Sequence, residues 1–185
     1  MTRNNVLSTS VGIGVVAGLI FAIAEVVAAA ATGNPAVDPL RMASSVVLGD
    51  EAVSGASLAA VVVIGVFVHL VLSGVFGFIY AGLVEGSLRP RSRGNMAAHA
   101  ALGSLFGLAV WAIDFQVFAR LIYPWFLDTS QLLQALLHAF GFGLPLGLLF
   151  ASVERRQLQA LRAVQRRSAE ERGAAIERER RLTRR

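Results

Sequence analysis

The sequence predicts an all-α, polytopic membrane protein: four transmembrane helices, a short outer interfacial helix and a cytoplasmic Arg-rich C-terminal helix. Three observations carry that expectation. Of the 185 residues, 55% are hydrophobic and only 16% charged, where a soluble domain carries about a quarter charged residues. Apolar positions run on without interruption, so that residues 57–84 contain no charge at all. The basic residues, 17 in number and all Arg, are gathered at one end: residues 153–185 sum to +6 and the remainder to −1. Such a composition excludes an ordinary cytosolic enzyme, a nucleic-acid-binding domain and a disordered chain. It divides the chain into a four-helix transmembrane domain, 1–152, and a basic helical extension, 153–185.

A bilayer core of about 30 Å takes about 20 apolar residues in helix, because each backbone polar group must be satisfied inside its own segment. Residues 6–31, 57–84, 96–122 and 132–152 meet that requirement. The first is too long for the apolar core of a signal peptide and carries Glu25, so it reads as a retained span. Gly33-Asn34-Pro35, the run Arg89 to Gly94 and Tyr123-Pro124-Trp125 punctuate the chain between spans. Arg in short loops marks the cytoplasmic side. Arg3, the trio Arg89, Arg91 and Arg93, and the tail therefore place both termini and the second connection there. The outer loops hold Asp38, Asp50, Glu51 and Asp128, with Arg41 and Arg120 their only cations and candidates for an outer gate. Tyr123, Trp125 and Phe126 are expected to form an aromatic belt. In the first outer loop, Asp38 as N-cap, Pro39 at the first helical position and Gly49 as a stop predict a short surface helix. Its apolar face is Leu40, Ala43 and Val47.

Between helices in lipid, small residues four apart let backbones approach closely. Ser10, Gly14, Gly18 and Ala22 form such a stripe on the first span, Gly65, Ser73 and Gly77 on the second, Gly103 and Gly107 on the third, and Gly141 with Pro145 on the fourth. The ionisable residues continue these stripes: Glu25 follows Gly18 by seven, His69 follows Gly65 by four, Asp114 follows Gly107 by seven and His138 precedes Gly141 by three. Helical periodicity keeps each on the packed face. At 1.5 Å per residue, Glu25, Asp114 and His138 lie roughly 9 to 12 Å inside the outer ends of their helices, with His69 about a turn deeper.

Charge at that depth is costly and commonly functional. Glu25, His69, Asp114 and His138 supply carboxylate and imidazole, which suit a divalent metal such as zinc, iron or copper, a haem, or a proton relay. They suit equally a structural clamp in which Glu25 or Asp114 hydrogen-bonds His138. The chain has no Cys, which removes disulfides, thiolate metal sites and a thiol nucleophile. His99, one turn inside the third span, reads as ordinary helix-end packing.

The second span carries His69, Ser73, Phe76, Tyr80 and Glu85 in the spacing H-x3-S-x2-F-x3-Y-x4-E. It resembles the corresponding segment of the YagU-type inner-membrane proteins, a family without an established chemistry. The basic connection, the Gly-rich third span and a last span ending in Glu154-Arg155-Arg156 extend the resemblance over residues 66–156. The resemblance implies a multi-span bacterial inner-membrane protein with a cytoplasmic C-terminus.

In the tail, Leu158, Leu161 and Val164 form a narrow apolar ridge among Arg155, Arg156, Arg162, Arg166 and Arg167. Gly173 is a weak point in the helix. Such a segment adheres to anionic lipid headgroups, or pairs with a membrane partner subunit or with its own copy. Nucleic acid is disfavoured by the absence of Lys and of interleaved aromatics. The leading functional expectation is a small transport or proton-linked membrane protein. The alternatives are a metal- or haem-binding redox protein and a structural or assembly subunit. Catalysis on a substrate is disfavoured, since there is neither a nucleophile elbow nor a phosphate-binding glycine loop.

Overall fold

The structure, a computed structural model, describes residues 3–87 and 92–183. Helix α1 (Arg3–Ala31) is followed by α2 (Asp38–Leu48), the single turn α3 (Glu51–Ser54), α4 (Leu58–Ser87) and α5 (Met96–Trp111). From α5 the helix runs on through a π-helical stretch, Ala112–Phe118, into the short α6 (Ala119–Leu121). A 3₁₀ turn, Pro124–Asp128, leads to α7 (Gln131–Leu136), a second π-helical stretch, Leu137–Gly143, and the 40-residue α8 (Leu144–Thr183). Four helices are long and apolar enough to cross a membrane, which makes this a multi-pass membrane protein. Arg89 and Arg91 lie outside the described residues, as does the side chain of Glu85.

Glycine decides which helices meet. Gly14 and Gly77 bring α1 and α4 into backbone contact, and a methyl on Gly14 would strike the carbonyl of Ser73. On the other side, Gly103 and Gly107 of α5 interlock with Gly143 and Gly147: a methyl on Gly107 would meet the carbonyl of His138, and one on Gly147 that of His99. The stripes of the sequence thus pack against neighbouring spans on α1 and α5, as do Ser73 and Gly77 of α4 and Gly141, which faces Phe21 and Ala24 of α1. Gly65 is corrected: it faces Leu40 of α2 and not a neighbouring span.

Helix α1 also lies against the Leu137–Gly143 stretch and α8, joining the two halves, whereas α4 and α5 do not pack along their length. They meet through ring contacts of Phe106 with Tyr80 and Phe76, at 5.5 and 6.3 Å between centroids. Beside that contact lies the main core, which includes Phe21, Val110, Phe142, Leu146 and Phe150. Above it, towards the end of the bundle that carries α2, residues of both helices border a shared gap.

Helix α2 fills the top of that gap. It starts at Asp38 itself, with Val37 before it and no side-chain cap; Asp38 instead faces Arg41 at 3.7 Å. Gly49, at φ +61°, ends it as expected. Leu40 rests on Gly65, and Pro39, Met42, Ala43 and Val46 face inward, while Val47 is exposed. The expected face of Leu40, Ala43 and Val47 is therefore split, because the helix is wedged between two neighbours and covered on more than one side. The aromatic group is also turned inward: Phe126 is buried against Phe115, Tyr123 stacks on Phe126 at 5.3 Å, and Trp125 Nε1 donates to Ser45 Oγ at 3.1 Å. Together α2 and the 3₁₀ turn form a roof.

Candidate functional site

Under the roof is a cavity of about 440 Å³. Glu25 from α1, His69 from α4, Asp114 from the first π stretch and His138 from the second all line it. The four ionisable residues singled out in the sequence thus share one site. The rest of the wall is largely apolar and aromatic, with Phe21, Phe76, Phe115, Phe118, Phe126 and Phe142 contributing.

The π-helical placement of Asp114 and His138 has a direct structural meaning. A π turn holds one extra residue, widens the helix and redirects the side chains within it, and such bulges recur at functional positions. Here the π stretch carries Asp114 at the cavity wall. The carboxylate Oδ2 of Asp114 stands 3.9 Å from His138 Nε2. That distance exceeds a hydrogen bond, so the expected hydrogen-bonded clamp between them is not formed. Glu25 is close enough to Asp114 for the two carboxyls to interact electrostatically.

Each imidazole is fixed by a backbone carbonyl, which can only accept. His138 Nδ1 donates to Gln134 O at 2.8 Å, and His69 Nε2 donates to Gly18 O at 2.8 Å. The other nitrogen of each neutral ring, Nε2 of His138 and Nδ1 of His69, is left as an acceptor. Phe21 stands between the rings, 5.6 Å from His69 and 4.7 Å from His138, and Phe115 is edge-on to His138 at 5.7 Å. Ser73 Oγ donates to His69 O at 2.6 Å and occupies the space a side chain on Gly18 would need. The sequence reading missed Phe21 and Phe115 as the residues that orient the imidazoles. Their spacing offered a signal, since Phe21 lies one turn from Glu25 and Phe115 is adjacent to Asp114.

Among the described residues, no three His, Asp or Glu side chains come together as a metal-holding group. The four side chains His69, His138, Glu25 and Asp114, expected to hold a divalent ion, thus line one cavity without closing into such a group. Neither candidate gate residue lines the cavity. Arg41 donates to Ala52 O at 3.2 Å and braces α2 against α3, and Arg120 binds Gln116 Oε1 through Nε and Nη2 at 3.2 and 2.9 Å. Arg156, Arg162, Arg166 and Arg167 are exposed along α8, as is Arg155, whose stem lies against Gly94.

A second polar group sits at the opposite end of the bundle, around His99, for which ordinary helix-end packing was expected. His99 is wholly buried, its Nε2 is 3.0 Å from Glu154 Oε2, and the same oxygen accepts from Gly94 N at 2.8 Å. Tyr80, also wholly buried, donates its hydroxyl to His99 O at 3.2 Å. This knot ties α4, α5 and the root of the tail together. Comparison with protein-family models, with curated proteins and with solved structures finds no match to this chain.

Proposed function

We propose that the chain is a small proton-linked transport protein of the bacterial inner membrane, with both termini cytoplasmic and the roofed end of the bundle outside. The observation that carries this reading is the convergence of Glu25, His69, Asp114 and His138 on one cavity within the span. A carboxylate in such a place is costly to leave ionised without a partner. A proton and a bound solute then compete for it, which is the physical basis of proton linkage. The neutral imidazoles, each with one acceptor nitrogen free, are suited to take up and pass on the proton. The orientation rests on the Arg of the tail and of the second connection. The exposed Arg156, Arg162, Arg166 and Arg167 suit anionic headgroups at that face. The resemblance to the YagU-type proteins is part of the same proposal. It rests on the spacing of His69, Ser73, Phe76, Tyr80 and Glu85 in the sequence.

A second reading, an assembly subunit that pairs through its tail, draws on Leu161 and Val164, which stand 61% and 63% exposed along α8. The two readings separate in one experiment. Dicyclohexylcarbodiimide partitions into bilayers and reacts with protonated carboxyls. In the proton-linked protein it modifies Glu25 or Asp114, detected by peptide mass spectrometry, and does so less as the pH is raised. Modification confined to surface acids such as Glu51, or independent of pH, would overturn the proposal.

A further inference from the structure

The lining of the cavity can be sorted into donors and acceptors, and the result is one-sided. The ring N–H of His69 and of His138 is spent on a backbone carbonyl, and the Ser73 hydroxyl is spent on another. The chain has no Lys, and neither Arg41 nor Arg120 lines the space. Once the carboxyls have lost their protons, what remains for a guest is the carboxylates of Glu25 and Asp114, Nδ1 of His69 and Nε2 of His138, all acceptors or negative charges, with the Tyr123 hydroxyl near the roof. In that state an anion or an acceptor-only molecule such as a quinone would find almost nothing to pair with. A cation would find two carboxylates and, around them, the faces of several Phe rings, which attract positive charge in a desolvated site.

The cavity also has a way in from the side. Leu72 of α4, Ile113 and Phe118 of the facing Ala112–Phe118 stretch, and Ile122 just beyond that helix line the cavity and are at the same time 37–53% exposed. Leu72, Ile113 and Phe118 lie within the apolar spans, so this exposed part of the cavity rim faces acyl chains. A volume of about 440 Å³ falls in the range of sites for drug-sized molecules.

We propose that this cavity takes a lipophilic organic cation, a positively charged centre carried on an apolar or aromatic body, which arrives sideways from the bilayer between α4 and the Ala112–Phe118 stretch. The inference rests on the proton-linked reading and names its substrate class: the cation enters as a proton leaves the same carboxyls, so the charge of the site is conserved.

Tetraphenylphosphonium and tetraphenylborate, nearly identical in shape and opposite in charge, make the test. Binding of each to the full-length detergent-purified protein is measured by equilibrium dialysis against pH, with the Glu25→Gln, Asp114→Asn double variant as the control for micelle partition. Expected are saturable binding of the phosphonium that weakens at least tenfold as the pH is lowered, loss of that binding in the double variant, and no saturable binding of the borate. The phosphonium should also protect Glu25 and Asp114 from the carbodiimide. Glu25→Gln and Asp114→Asn are made singly as well, and each must elute and melt as the parent does before its binding is read. Equal binding of both ions, or phosphonium binding unchanged in the double variant, would overturn the inference. If the carboxyls label in a pH-dependent way and the phosphonium neither binds nor protects, the substrate class is wrong while the proton-linked site stands. Failure of the labelling itself would remove the site.

Discussion

The glycines of this bundle are not interchangeable, and the difference can be stated atom by atom. At Gly107 a methyl group would meet the backbone carbonyl of His138, which cannot swing aside because it belongs to the π stretch that carries the imidazole. Gly107→Ala should therefore cost about 1–3 kcal/mol, the usual range for forcing an added carbon into a close-packed contact. Gly82→Ala on α4, where nothing lies within 4 Å, should be neutral or gain up to about 1 kcal/mol of helix propensity. Thermal unfolding of the two variants in one detergent compares them directly, and equal melting would refute the packing argument. At Gly18 the obstacle is Ser73, whose Oγ can rotate but whose Cβ is fixed to the backbone of α4, so Gly18→Ala should cost stability as Gly107→Ala does. It should also disturb His69, whose Nε2 donates to the Gly18 carbonyl, and with it the pH dependence of carboxyl labelling.

The elements were legible in the sequence to different degrees, for physical reasons. The four spans were plain because a membrane demands long uninterrupted apolar helix, and residues 57–84 with no charge admit few other readings. The site was legible because ionisable residues on a small-residue stripe must face protein, and Glu25, His69, Asp114 and His138 do share a cavity. The π turns were not legible, since a stretch such as Ala112–Phe118 differs from α-helix only by one residue per turn and leaves no compositional trace. The face of α2 was misjudged for a related reason: an amphipathic period reveals one apolar side, not a second contact such as Leu40 on Gly65. A prediction follows for the π stretch. Deleting Val117, which is exposed, should let residues 112–118 relax to α-helix while the flanking packing survives, and should withdraw Asp114 from His138. In this Cys-free chain, Asp114→Cys with His138→Cys should crosslink with a short bis-methanethiosulfonate reagent that spans the reach of the original side chains, and the same pair with Val117 deleted should not. Crosslinking that persists after the deletion would show that the π turn does not place the carboxylate.

At the scale of the whole molecule, the sequence separated bundle from tail by charge alone, and charge is a poor guide to where a continuous helix stops being part of a fold. Helix α8 runs unbroken from Leu144 to Thr183, through Gly173, so the division lies in its contacts and not in its backbone. Single cysteines replacing Asn34 and Asp128 should label with an impermeant maleimide from one side of the membrane and one replacing Ser92 from the other, with the first two outside in the proposed orientation. The reverse sidedness would invert the assignment of the roof. The tail itself is tested by where it is cut. Glu154 accepts from Gly94 N and faces His99 Nε2 at 3.0 Å, whereas Leu161, Val164 and Ile176 stand exposed and touch no buried cluster. Ending the chain after Arg156 keeps Glu154 and removes helix whose described residues are exposed apart from the half-buried Gln157, Leu158 and Ser168. It should leave insertion and melting in detergent nearly unchanged while weakening self-association or partner capture in a salt-sensitive way. Ending it after Ser152 strips the acceptor from a buried imidazole and a backbone N–H. At about 1–3 kcal/mol for each orphaned group, the melting temperature should fall by roughly 5 °C or more. Glu154→Ala in the full-length chain should reproduce most of that fall with the tail still present. If the cut after Arg156 is as damaging as the cut after Ser152, then the fold depends on the helix beyond Arg156 and not on the carboxylate at its root.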